Sequence, residues 1–199
     1  MKGPVPDHAG DPASSASWVN AANGLTLLRL VAVPVLAILL AQSDSQTARA
    51  WAAVVFVLAS ATDLADGAVA RRYGLVTSFG KVADPIADKA LTAVALIGLS
   101  WLGDLAWWVT IVILVREAGV TLLRFWVIEH GIIPASRGGK AKTLAQAIAI
   151  TMYLVDAPWQ WWHVASALVM LVAVVLTVVT GIDYAVRAQR LRQAAHARR

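Results

Sequence analysis

Four aspartates fall in a part of the chain where acidic groups are hard to accommodate. The segment from Asp63 to Lys89 reads DLADGAVARRYGLVTSFGKVADPIADK, with apolar runs on either side. Asp63 and Asp66 stand three residues apart, and Asp84 and Asp88 four apart. On a helix each pair lies on one face. Carboxylates gathered at one spot repel each other, which raises the pKa of some of them. An aspartate at the centre of a membrane helix also costs about 2.5–3.5 kcal/mol on insertion scales. Divalent cations relieve both penalties. Mg²⁺ and Mn²⁺ prefer carboxylate oxygen and commonly bridge to substrate phosphates. Two such ions can stabilise charge on both the attacking and the leaving oxygen of a displacement. The competing structural reading pairs these aspartates with Arg71, Arg72 and Lys89 and needs no chemistry. Acids at fixed spacing within apolar helices make function the default reading.

The two pairs converge only if they sit on antiparallel neighbouring helices joined by a short connection. Six apolar stretches supply such helices, running roughly Leu25–Ala41, Ala50–Ala70, Pro85–Leu102, Leu105–Ile128, Leu144–Val155 and His163–Tyr184. A spanning helix needs about 20 residues at about 1.5 Å rise each. The second, fourth and sixth stretches meet this length. The first, third and fifth are short, so their ends are expected to extend into flanking polar residues. Composition agrees: the chain is 59% hydrophobic and 15% charged, against about 45–50% and about 25% in soluble domains. The expected fold is therefore all-α, an integral membrane bundle of six transmembrane helices. Before it, Ser17–Asn20 reads either as a short interfacial helix with Trp18 at headgroup depth or as an ordinary flank of the first span. Residues 1–14 read as a disordered lead, 15–186 as the membrane domain and 187–199 as a basic tail. No cleavable signal peptide is visible.

Lys and Arg set the orientation. Alternate loops hold Arg71, Arg72 and Lys81, then Arg137, Lys140 and Lys142, and the tail holds Arg187, Arg190, Arg192, Arg198 and Arg199. The opposite loops hold Asp44, Asp104 and Asp156, with Arg49 as their one basic residue. Both termini and the aspartate end are thus expected in the cytoplasm of a multi-pass cell-membrane protein. Trp159, Trp161 and Trp162 read as an aromatic belt at the outer interface. Absent cysteines exclude disulfides and thiolate metal sites. The net charge of +5 comes from basic residues placed between apolar runs. That pattern excludes nucleic acid as the partner and favours anionic lipid or an anionic substrate.

Further residues surround the aspartates. Gly67 and Ala70 leave room for a flat ligand or a neighbouring helix. Arg71, one turn past Gly67, can reach a phosphate. Gly80 is expected to end the connecting loop and allow tight entry into the third helix. Arg29 either snorkels to headgroups or faces the bundle and organises the acidic site. Arg116 lies in an apolar stretch, where a lone cation needs a partner. Glu117 is adjacent but directed elsewhere around the helix, so it is not the obvious partner. Arg124 is close to the same face as Arg116. With Lys140 and Lys142 these arginines form a candidate phosphate pocket, while positive-inside topology alone is the plainer account of the two lysines.

At this point the sequence resembles the CDP-alcohol phosphotransferase family, whose signature is D-x2-D-G-x2-A-R-x8-G-x3-D-x3-D. Asp63, Asp66, Gly67, Ala70, Arg71, Gly80, Asp84 and Asp88 occupy all eight positions. A chance match has a probability on the order of 10⁻⁹ to 10⁻¹⁰ per start position at ordinary residue frequencies. The resemblance implies six membrane helices and usually a homodimer. It implies that Asp63, Asp66 and Asp84 bind metal, in all two Mg²⁺ or Mn²⁺ ions, and that Asp88 is both ligand and general base. Asp63, Asp66, Gly67, Ala70 and Arg71 then belong to the CDP pocket. The implied reaction moves a phosphatidyl group from CDP-diacylglycerol to an alcohol and releases CMP.

Three local features resemble bacterial synthases that use glycerol 3-phosphate as the alcohol. They are Asp84-Pro85-Ile86-Ala87-Asp88-Lys89, Asn23-Gly24-Leu25-Thr26-Leu27-Leu28-Arg29, and Arg116-Glu117 with Arg124 followed by Lys140-Ala141-Lys142-Thr143. Ala22 stands where those enzymes usually carry proline. Asn23, Thr26, Arg29 and Gly80 are carried as supporting residues. Inositol phosphate needs the same basic pocket, and phosphatidylglycerol is a further acceptor within the family. A metal-ion transporter using the aspartates is the rival from another class, but no inverted repeat is visible.

Overall fold

Twenty or so apolar residues in succession leave the backbone one economical way to satisfy its own hydrogen bonds, the α-helix. The computed structural model describes residues 21–42, 45–73, 78–127 and 137–196. Side chains are described within these except at 21–26, 63–85, 88, 124–127, 137 and 194–196. The described residues form helices and no strands. The elements are α1 (Ala21–Ala41), α2 (Gln46–Tyr73), α3 (Ser78–Trp101), α4 (Trp107–Val127), α5 (Arg137–Val155) and α6 (Gln160–His196). They match the six apolar stretches one for one. As expected, the short stretches extend into polar flanks, most of all α5, which begins at Arg137. α6 runs unbroken to His196, so most of the basic tail is helical. The lead and Ser17–Asn20 lie outside the described residues. Gly80 does not end the loop: α3 already begins at Ser78 and carries Gly80 in its first turn. A glycine disfavours a helix by only about 1 kcal/mol, which a helix of 24 residues absorbs.

The helices pack as a bundle. α1 lies against α2 and α3, α5 against α2, α3 and α6, and α4 against α3 and α6, while α2 also touches α3. Leu36 and Leu40 of α1, Phe56 of α2, Leu91, Leu96 and Leu99 of α3, Ile113 of α4 and Ile150 and Leu154 of α5 form one core. Close approach of α1 and α3 depends on Gly98, where an added Cβ would lie 2.5 Å from Leu40 Cδ1. Small residues serve helix contacts in this way when apolar surroundings give no hydrophobic drive.

The polar groups point inward. Arg29 is 1% exposed, while Leu27, Leu28, Val31 and Ile38 on the same helix face outward. This puts Arg29 in the bundle interior. On α6, Ser166, Thr177 and Thr180 are buried, whereas Leu168, Leu171, Val175, Val179 and Ile182 are exposed. Ser100 Oγ and Thr110 Oγ1 lie 2.7 Å apart between α3 and α4, and Gln146 Nε2 donates to Thr177 Oγ1 at 2.9 Å between α5 and α6. A soluble bundle has the opposite distribution. By length and composition, α6 from Gln160 to Gln193 can cross a membrane; α1 and α3 contain the shorter apolar runs Leu27–Ala41 and Lys89–Trp101.

One end of the bundle is closed by Arg49, at the start of α2. Its Nη2 donates to Asp104 Oδ2 at 2.6 Å and to the Tyr153 carbonyl at 3.3 Å, and its Nη1 lies 3.7 Å from Asp156 Oδ2. Asp104 belongs to the α3–α4 turn, where Gly103 adopts φ +82°. Asp156 belongs to the α5–α6 turn and has φ +43°, a conformation aspartate tolerates better than most residues. Exposed Trp51, Trp101, Trp107, Trp108, Trp159 and Trp161 ring this same end. Trp159 and Trp161 stack at 5.8 Å, and the Trp162 indole donates to the Met152 carbonyl at 3.0 Å. Arg49→Ala is expected to lower stability in detergent by about 1–2 kcal/mol, since a partly shielded charge-assisted hydrogen bond is lost. Thermal unfolding of the two proteins side by side measures this.

Candidate active site

The opposite end of the bundle carries the signature. Asp63 and Asp66 lie in the second half of α2, and Asp84 and Asp88 in the first half of α3. All four are helical, so the three- and four-residue spacings do place each pair on one helix face. Gly67, Ala70 and Arg71 continue α2 directly after Asp66. The side chains of these residues lie outside those described, as do those of Asn23, Thr26 and Arg124. The four aspartates are carboxylates, a residue type whose oxygens suit Mg²⁺ or Mn²⁺, and the two helices that carry them touch.

One residue past Asp88, the described side chains begin again with Lys89, and here the structure shows a cluster that the sequence only half revealed. The Glu117 carboxylate of α4 receives cations from three helices. Lys89 of α3 approaches Oε2 at 3.5 Å and donates to the Glu117 carbonyl at 3.1 Å. Arg116 of α4 donates from Nη1 to Oε1 at 3.0 Å. Lys142 of α5 also donates to Oε1. Lys89 further bonds Thr121 Oγ1, which donates to the Glu117 carbonyl at 2.8 Å. Arg116 continues to α6, with Nε donating to the Thr177 carbonyl at 3.1 Å and Nη2 to Thr180 Oγ1 at 2.8 Å. Gly181 makes room for it: a Cβ there would lie 3.0 Å from Arg116 Cγ.

The reading that set Glu117 aside as a partner for Arg116 is therefore corrected. Neighbouring residues diverge by about 100° around a helix, but the long arginine side chain bends back far enough to meet the carboxylate. Arg116 and Lys142 of the expected phosphate pocket do come together. Lys140 is exposed on the first turn of α5. In the sequence reading Lys89 figures only as a counter-charge to the aspartates, and Glu117 only as a poor match for Arg116. The signal was present for Glu117, because an acid within an apolar helix calls for the same scrutiny as the arginine beside it. Lys89 gave no such signal, since it follows the signature at a helix turn rich in charge.

The chain belongs to the CDP-alcohol phosphatidyltransferase family, whose model matches residues 19–179. Enzymes of this family are transferases and generally depend on divalent metal. Its relatives include a probable phosphatidylglycerophosphate synthase of Mycobacterium tuberculosis, 52% identical over 183 residues that cover 91% of this chain and 87% of the relative. The CDP-diacylglycerol–glycerol-3-phosphate 3-phosphatidyltransferase of Bacillus subtilis is 38% identical, covering 83% and 93%. That of Escherichia coli is 37% identical, covering 85% and 96%.

Thr180→Val keeps the side-chain volume and removes the hydroxyl that holds Arg116 to α6. It is expected to destabilise the bundle by about 0.5–2 kcal/mol. Gly181→Leu, which drives bulk into the Arg116 side chain, is expected to destabilise it more. Unfolding of both variants in one detergent gives the order.

Proposed function

We propose that this chain transfers the phosphatidyl group of CDP-diacylglycerol to glycerol 3-phosphate, giving phosphatidylglycerophosphate and CMP. The observation that carries the reading is the junction at Asp88 and Lys89. There the aspartate signature of a CDP-alcohol enzyme passes, within one residue, into a cluster of cations suited to a phosphorylated acceptor. The names of the relatives describe this same reaction.

Asp63, Asp66, Asp84 and Asp88 would hold two Mg²⁺ or Mn²⁺ ions, which when bound neutralise the diphosphate of the donor. Gly67, Ala70 and Arg71 flank the cytidine diphosphate. The acceptor's phosphate is drawn to Arg116, Lys142, Arg124 and Lys140. Asp88 takes the proton from the acceptor hydroxyl. The acceptor oxygen forms its bond to the lipid-side phosphorus as the bond from that phosphorus to the CMP oxygen breaks. Asn23, Thr26, Arg29 and Gly80 support the site from α1 and α3. A homodimer is part of the reading, as the family resemblance implies.

The same reading makes the chain a multi-pass membrane protein with six spans. Apolar side chains outside, buried arginine and threonine inside, and a tryptophan ring at one end support it. The ring and the Arg49 clamp then mark the outer face, and the aspartates and both termini the cytoplasmic one.

The testing experiment is CMP release by purified protein with CDP-diacylglycerol, Mg²⁺ or Mn²⁺, and one acceptor per reaction. Turnover is expected with glycerol 3-phosphate and not with phosphatidylglycerol or inositol phosphate. Asp88→Asn is expected to lower the rate at least about 100-fold while circular dichroism stays unchanged. Chelation is expected to stop the wild-type reaction and added Mg²⁺ or Mn²⁺ to restore it. Folded wild-type protein with no turnover on any acceptor overturns the reading. Since the chain has no cysteine, single cysteines report topology cleanly. A membrane-impermeant maleimide on intact cells is expected to label Gln160→Cys and leave Gln189→Cys unlabelled.

A further inference from the structure

Buried charge clusters that serve only to hold a fold tend to balance, because an uncompensated charge away from water is strongly unfavourable. The cluster at Glu117 does not balance among the described residues. Lys89, Arg116 and Lys142 bring three positive charges and Glu117 one negative, which leaves two positive. The other described acids are elsewhere: Asp104 and Asp156 meet Arg49 at the far end, and Asp183 pairs with Arg187 at 3.0 Å. The side chains of Lys142 and Arg116 are only 6% and 15% exposed, so bulk water screens them poorly. A phosphate monoester carries about −1.5 to −2 at neutral pH, close to the surplus.

Three cations so near one another repel. Arg116 is also held by Thr177 and Thr180, and Lys89 by the Glu117 carbonyl and Thr121, but among the described residues no group other than the Glu117 carboxylate is shared by all three. One oxygen takes Arg116 and Lys142, and the other takes Lys89. We infer that Glu117 is the positioning residue of the acceptor site: it gathers the cations of three helices into one phosphate-binding group without itself touching the substrate. This rests on the proposed use of a phosphorylated acceptor. A carboxylate at the rim of an anion site would otherwise weaken it. Here it sets the spacing of the cations, and the two remaining positive charges supply the attraction.

The inference separates two kinetic constants. Glu117→Gln keeps the shape and removes the charge, so the cations move apart and affinity for the acceptor falls, while the donor site built on α2 and the start of α3 is untouched. The experiment measures both KM values and kcat in detergent with saturating Mg²⁺. Expected for Glu117→Gln is a KM for glycerol 3-phosphate raised tenfold or more, with the KM for CDP-diacylglycerol within twofold of wild type. Glu117→Asp keeps the charge at shorter reach and is expected to fall between. An unchanged KM for glycerol 3-phosphate in Glu117→Gln overturns the inference, as do equal rises in both KM values with a lowered unfolding temperature, the mark of a merely structural role. Should Glu117→Gln fail to fold, Glu117→Asp decides. A several-fold rise confined to the acceptor supports the inference, and wild-type constants overturn it. Wild-type protein that turns over only an unphosphorylated acceptor overturns the functional reading and the inference together. Wild-type turnover of glycerol 3-phosphate beside a silent Glu117→Gln overturns the inference alone.

Discussion

A charged or hydroxyl-bearing side chain in the apolar middle of these helices faces one constraint: it must find its partner inside the bundle. The outer faces of α1 and α6 are leucine, isoleucine and valine, and offer a polar group nothing. Arg29, Thr110, Lys142, Gln146 and Thr177 are accordingly turned inward, and the hydrogen bonds of Thr110, Lys142, Gln146 and Thr177 tie one helix to the next. Helix association in apolar surroundings draws on such bonds and on close packing of small residues, because hydrophobic burial gives little drive there. Gly98 against Leu40 and Gly181 against Arg116 are the packing half of that arrangement.

The constraint divides the bundle into two ends with different duties. At the Arg49 end one cation meets two acids and a carbonyl, the one extra negative charge sits on partly exposed acids that water can reach, and turns are fixed. At the Glu117 end one acid meets three cations, and among the described residues charge is left over. The first arrangement holds a shape; the surplus of the second attracts a ligand. Two of the aspartates proposed to bind metal, Asp84 and Asp88, share helix α3 with Lys89 of the surplus end.

Much of this was legible in the sequence because it rests on local rules. Apolar run length gave six helices, and the requirement that a spanning helix be long enough pushed α5 back into its polar flank at Arg137. The eight-position signature identified the family, since fixed spacing on helices is a one-dimensional property. Arg116 was recognised as a cation in need of a partner. What stayed hidden depended on how side chains bend and on which helices meet. Angular position alone set Glu117 aside from Arg116, although arginine is long enough to fold back across that angle. The convergence of Lys89 and Lys142 on one carboxylate needs the packing of α3, α4 and α5, which no periodicity encodes. Gly80 was taken as a loop boundary because glycine usually breaks a helix, and here the helix runs through it.

The Arg49 clamp also has a consequence in time. Asp104 follows Arg49 by fifty-five residues, and Asp156 by about a hundred. At roughly 5–20 residues per second of synthesis, the arginine is made seconds before its first acid and up to about 20 seconds before its second. Through that interval the two acids that hold it in the finished bundle have not both been made. The clamp can close only when both later turns have been made and brought to the start of α2, so its closing marks the moment this end of the bundle is assembled.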